Sequence, residues 1–128
     1  MEKVLVDTDV FIDFLRGHTA RVKGFFNLVE DGKIEGLISL ISLAELYSGQ
    51  EMENVAKKEG VESLLSIFLV ANLGGAIAEM AGEIRRKHKM ALADALIAST
   101  AILNNVSLFT FNTGHFKSIK QLKLYSFE

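Results

Sequence analysis

Six side chains stand where this sequence could do chemistry. Asp7 and Asp9 directly follow the apolar run Val4-Leu5-Val6, and Glu45 lies just beyond the apolar run Gly36–Leu40. Asp94 interrupts the otherwise apolar stretch Ala91–Ala98, and Thr110 and Asn112 close the run Ser107–Thr110. A carboxylate among apolar neighbours is strongly disfavoured unless it is hydrogen-bonded, paired or bound to a cation. Asp94 therefore has two readings: a helix N-terminal acid favoured by the macrodipole, or a catalytic or metal-binding group. Glu45 likewise has two, because Ser42 three residues before it would complete a capping box. Asp7 has no structural duty beyond capping a helix, whereas Asp13 reads as a solvated or ion-paired side chain. The chain has no cysteine, and its three histidines stand singly at positions 18, 88 and 115. Oxygen ligands without thiols suit Mg²⁺ or Mn²⁺ rather than zinc. A carboxylate-held divalent cation most often serves phosphoryl chemistry, which points to a phosphatase or a nuclease.

The elements that must position these groups are legible from punctuation and period. Val4–Val6 reads as a strand running into a helix that Gly17 terminates. Thr19–Glu30 reads as a second helix capped by Thr19, with Val22, Phe25, Phe26 and Val29 on one face. Further strands are expected at Gly36–Leu40, Ile67–Val70 and Ser107–Thr110, with a short edge strand at Leu122–Tyr125. Helices are expected from about Ser42, from Glu51 to Leu65, from Ala76 to Lys89 and from Ala91 to Asn104. Strands separated by helices imply parallel crossovers and a sheet covered on both faces, a three-layered α/β class. In such sheets ligands collect beyond the carboxyl ends of the strands, where Asp7, Asp9, Asn112 and Thr110 are expected.

The 128 residues suffice for one domain with its own core. Neither a secretory signal nor an apolar run long enough to span a membrane is present, so a cytoplasmic protein is expected. The net charge of −2 is unevenly spread: residues 1–83 carry 14 acids and 7 bases, residues 84–128 carry 2 acids and 7 bases. Arg85, Arg86, Lys87 and Lys89 form a basic run just before Asp94, either a solvated helix C-terminus or an RNA-backbone contact.

The segments Asp7–Asp13, Ser39–Leu46, Asp94–Ala98 and Thr110–Phe116, in this order and spacing, resemble the PIN-domain nucleases. The resemblance is closest to the VapC-type toxins of toxin–antitoxin pairs and spans nearly the whole chain. It implies one PIN-like domain over residues 1–128, a three-layer α/β/α fold with a parallel sheet of four to five strands. It implies metal-dependent hydrolysis of RNA phosphodiester bonds, with Mg²⁺ or Mn²⁺ as cofactor. Asp7, Glu45 and Asp94 fall on the family's acidic metal-binding pocket, and Asn112 falls on its fourth position. Asp9 and Thr110 are expected just behind these groups, and His115-Phe116 is expected to close a turn and pack. A VapB-like antitoxin and a homodimer are implied as partners, with Phe25, Phe26, Leu64 and Leu65 supplying apolar surface.

Two alternatives stand beside this reading. Val4–Asp9 also fits the apolar strand and Asp-x-Asp of haloacid-dehalogenase-like phosphatases, but no acidic pair follows Asp94. The other alternative is a catalytically inert PIN-fold module that binds RNA or protein, because the fourth position is a neutral amide.

Overall fold

A computed structural model describes residues 1–127. Strand β1 (Glu2–Val6) leads into helix α1 (Thr8–Arg16), and α2 (Val22–Glu30) precedes β2 (Ile34–Ser39). Helix α3 (Leu40–Tyr47), a single 3₁₀ turn (Gln50–Glu53) and α4 (Val55–Leu65) lead to β3 (Leu69–Ala71). Helices α5 (Gly75–His88) and α6 (Leu92–Leu103) then precede β4 (Ser107–Phe109) and the single-turn α7 (Thr113–Phe116). Among the described residues four strands form one sheet in the order β3-β2-β1-β4, with every pairing parallel. The expected three-layer α/β class and parallel sheet are therefore observed.

Period-two alternation in β1 divides the interior into two cores. Leu5 faces a small-residue core built with Ala81, Ile84, Ala95, Ala98 and Ala101 of α5 and α6. Val4 and Val6 face an aromatic core with Phe11, Phe25, Phe26, Phe68 and Phe109. Phe11 sits edge-on to both Phe26 and Phe68, with ring centroids 5.7 and 4.9 Å apart, the geometry aromatic quadrupoles favour. Because Phe25 and Phe26 are interior, they cannot supply the dimer surface expected of them; the exposed apolar side chains among the described residues include Leu69 and Val70 on β3 and Tyr47 on α3.

Gly36 in β2 lets Phe68 lie against the backbone. A Cβ there would fall 2.5 Å from Phe68 Cε2 and 3.0 Å from Val29 Cγ1. Since Phe68 is held by its aromatic neighbours, Gly36→Ala is expected to destabilise the protein by about 1–3 kcal/mol. A urea midpoint unchanged from wild type would show that the ring can move aside.

Several local expectations are corrected. Helix α2 starts at Val22, not Thr19, because the Thr19 hydroxyl and N–H both donate to the Asp13 carboxylate, at 2.9 and 3.1 Å. Asp13 is thus a half-buried loop anchor rather than a solvated acid. The cap of α3 is Ser39, whose Oγ accepts from Ser42 N at 3.0 Å, so Ser42 lies inside the helix and no Ser42–Glu45 capping box forms. Leu122–Tyr125 joins β4 through one isolated parallel bridge, Leu108 with Leu124, rather than as a strand. Gly17 does terminate α1, in the left-handed conformation at φ 67°.

Candidate active site

In chain order the sheet grows from β1 to β2 and β3 on one side and reverses to β4 on the other. The carboxyl ends of β1 and β4 therefore flank the switch point where open parallel sheets bind ligands. Asp7 caps α1 at that point, extending the ladder by donating its N–H to Phe109 O at 2.9 Å. Its carboxylate is 5% exposed and accepts from Thr8 N and from Thr110 Oγ1, each at 2.8 Å. Thr110 Oγ1 also accepts from Asn112 N at 3.0 Å, so one hydroxyl links Asp7 to the following loop. Asp9 Oδ2 accepts from Phe111 N at 3.1 Å, whereas Asp9 Oδ1 is buried without a hydrogen-bond partner among the described residues.

Burial pushes the Asp7 carboxyl up to about 6, with the charges of Asp9 and, more weakly, Asp94 adding to the rise. The hydrogen bonds from Thr110 and Thr8 oppose it. Asp9 is raised as well, by burial, against the hydrogen bond from Phe111 N.

Glu45 is exposed and reaches this corner through a chain of buried hydroxyls. Thr8 Oγ1 donates to Glu45 Oε1 at 2.6 Å and is hydrogen-bonded to Ser42 Oγ at 2.8 Å, which meets Ser39 Oγ at 3.2 Å. Each hydroxyl has one proton and the carboxylate can only accept, so the donation runs from Ser39 through Ser42 and Thr8 to Glu45. Asp94 is half-buried in the first turn of α6, and its Oδ2 lies 3.4 Å from His115 Nδ1. His115 is not the packed residue expected: its side chain is 60% exposed, and Phe116 beside it fills the core.

The structure thus brings Asp7, Asp9, Thr110 and Asn112 together through hydrogen bonds, places Asp94 within electrostatic reach, and tethers Glu45 through Thr8. Of the basic run, Lys89 shares a cavity wall with Asp94, and Lys87 is paired with Glu83 at 2.8 Å. Arg85 and Arg86 are exposed on α5.

Among the described residues, no three His, Cys, Asp or Glu side chains are gathered into a ready-made metal cage. Mg²⁺ does not require one, since it is commonly held by one or two carboxylates, water and substrate phosphate. The donor set fits such an ion: all its members are oxygen, Asp9 Oδ1 is orphaned, and burial, with the neighbouring acids, raises Asp7. A cation would relieve both penalties.

A model of the PIN domain family matches residues 4–122. The chain belongs to the PIN domain family. It is 36% identical over 125 residues to Ribonuclease VapC10 of Mycobacterium tuberculosis, covering 94% of this chain and 90% of that protein. A toxin–antitoxin complex from Klebsiella pneumoniae contains a chain 30% identical to it, with a TM-score of 0.77 and coverage of 97% and 99%. DNA-bound VapBC from Salmonella typhimurium shares the fold at a TM-score of 0.83, at 24% identity and 98% coverage of each chain. The family match does not favour the haloacid-dehalogenase-like alternative.

Sequence reasoning about this PIN domain missed Thr8 and the serine chain behind Glu45. Their signal was present, since Thr8 separates the two acids and Ser39, Ser42 and Glu45 recur at intervals of three.

Proposed function

We propose that this chain is a metal-dependent endoribonuclease, the toxin of a VapBC-type toxin–antitoxin pair, with Mg²⁺ or Mn²⁺ as cofactor. The observation that carries the reading is the buried, unpartnered Asp9 Oδ1 beside a raised Asp7 carboxyl at the sheet's switch point. The likeness to a protein named as a ribonuclease supports RNA as substrate, and the likeness to a chain of a toxin–antitoxin complex supports a VapB-like antitoxin. Residues 1–128 act as one domain, a homodimer, in the cytoplasm. Among the described residues no helix is long and apolar enough to cross a membrane.

Asp7, Asp94 and Glu45 are assigned to the cation site, one or two of them as direct ligands and the rest through bound water, with Asp9 adding its free oxygen. When bound, the divalent ion supplies Lewis acidity, lowering the pKa of water and neutralising charge on the phosphodiester. The protein's own work is orientation. Thr110 Oγ1 and Thr8 N fix both oxygens of Asp7, and the hydroxyl chain points one oxygen of Glu45 at Thr8. Asn112 offers a neutral oxygen or a water contact at the rim.

Single-turnover cleavage of a mixed RNA pool, with Mg²⁺ or Mn²⁺ and with chelator, tests the reading. Cleavage that requires the cation is expected; RNA binding without cation-dependent cleavage would leave the inert binding module instead. Cation binding should also stabilise the fold, by about 2.7 kcal/mol at a hundredfold excess over Kd. That corresponds to a Tm rise on the order of 10 °C. Asp94→Asn should shrink the rise while leaving the metal-free fold intact, and an undiminished rise would remove Asp94 from the site.

A further inference from the structure

Beside Asp94 the surface opens into a cavity of about 390 Å³ walled by Lys89, Met90, Gly114 and His115. A second cavity, of about 300 Å³, is walled by Lys87, Ile119, Lys120 and Gln121. His88 and Ser118 belong to both walls, joined by a 2.9 Å contact between His88 Nδ1 and Ser118 Oγ. The two cavities adjoin at that contact, one beside Asp94 and the other beyond it at the end of α5, and together they outline a trough past α7.

Its charge is distinct from the corner it leaves. Glu83, the carboxylate of the far cavity, is paired with Lys87, so that pair is neutral. Lys89 and Lys120 make no ion pair among the described residues. Lys89 occupies the C-cap of α5 at φ 53°, a left-handed conformation that glycine would adopt without strain. A lysine there sacrifices backbone ease, and its side chain lines the cavity beside Asp94. The neighbouring N-terminus of α6 has no side-chain cap at Ala91, which lines the same cavity. Its free N–H groups add to an environment suited to phosphate oxygens.

We propose that this trough is the track for the sugar–phosphate backbone of the RNA on one side of the scissile bond, with Lys89 and Lys120 as its phosphate contacts. The inference rests on the ribonuclease reading and deepens it. It replaces the basic run as a whole with a specific path: Lys89 and Lys120 act, Lys87 is neutralised, and Arg85 and Arg86 lie outside.

Binding of a short mixed-sequence single-stranded RNA, measured with chelator present across a salt series, tests it. For the double variant Lys89→Gln/Lys120→Gln, affinity is expected to fall about tenfold or more near physiological salt. The slope of log affinity against log salt should fall by about 1.4, roughly 0.7 for each lost single-strand phosphate contact. Arg85→Gln/Arg86→Gln, equal in charge removed, should change both far less. A steric variant acts independently of charge: Gly114 lines the cavity beside Asp94 and a Cβ there meets nothing within 4 Å, so Gly114→Leu adds bulk at the cavity wall without pressing on the core. It should weaken RNA binding with an unchanged Tm. Wild-type affinity and slope in Lys89→Gln/Lys120→Gln, or an equal loss in Arg85→Gln/Arg86→Gln, would overturn the track. Cation-dependent cleavage by wild type alongside that result leaves the ribonuclease reading standing, whereas wild type that neither binds nor cuts RNA removes both.

Discussion

Asp7→Asn is expected to lower cation-dependent RNA cleavage on the order of 10³-fold while making the metal-free protein more stable above pH 6. The two effects share one cause. The Asp7 carboxyl is raised from 3.8 to about 6, first by burial and then by Asp9. Between those values the native state holds a proton that the unfolded chain has released. The contribution of this group to stability is therefore fully present below about pH 4, is lost as pH rises through 6, and stays absent above it. A displacement of about two pH units corresponds to about 3 kcal/mol, an upper bound because local rearrangement relieves part of it. Asparagine does not titrate, keeps an acceptor for Thr8 N, and leaves Thr110 free to turn its hydroxyl. Urea melts with chelator at pH 5, 6, 7 and 8 should show the wild type losing stability over the lower part of this range and the variant gaining on it. A variant no more stable than wild type at pH 8 would show that Asp7 is not under electrostatic strain. A variant that still cleaves would show that it is not a ligand.

What the sequence made legible was local, and what it concealed depended on partners far along the chain. Gly17 ends α1 because a left-handed C-cap is a property of the glycine itself. Asp7 follows β1 because an apolar β-branched run and an acid at a helix start are adjacent signals. The cap of α3 was ambiguous in principle, since Ser39 and Ser42 both satisfy short-range capping patterns. The ambiguity is settled by strand pairing, which carries β2 as far as Ser39, opposite Ala71 of β3. Thr19 offered good capping chemistry, yet Asp13 six residues earlier captures its hydroxyl. Leu122–Tyr125 alternates as a strand should, but its contact with β4 is limited to one bridge. The His115–Asp94 contact spans 21 residues and two elements, and no spacing rule within either segment announces it. The apolar excess is not placed by composition either, because the aromatic core takes up both Phe25 and Phe26, which composition alone leaves available for an interface.

The final prediction sets Asp9 against Asn112, whose ranks in the geometry differ from their ranks in the motif. The motif puts Asn112 at the fourth pocket position and Asp9 behind the pocket. In the structure Asn112 is exposed and tied to the site through its backbone N–H, which donates to Thr110. Asp9 is half-buried, with one oxygen fixed by Phe111 N and the other lacking a partner. A buried lone pair with nothing to accept is what a cation or its bound water would satisfy. Asp9→Asn preserves the acceptor for Phe111 N and removes the charge, so it should raise the cation concentration for half-maximal cleavage about 10–100-fold. Excess Mn²⁺ should rescue it, because Asp7 remains. Asn112→Ala should shift that concentration only several-fold, roughly 1 kcal/mol for one neutral contact. Asn112→Asp should retain cleavage, since an added anion strengthens cation binding. Cation titrations of single-turnover cleavage rank the variants directly. If Asn112→Ala proves more damaging than Asp9→Asn, the neutral amide is a ligand after all. The unpartnered oxygen of Asp9 would then be a plain desolvation penalty, offset by the hydrogen bond that anchors Phe111 across the switch point.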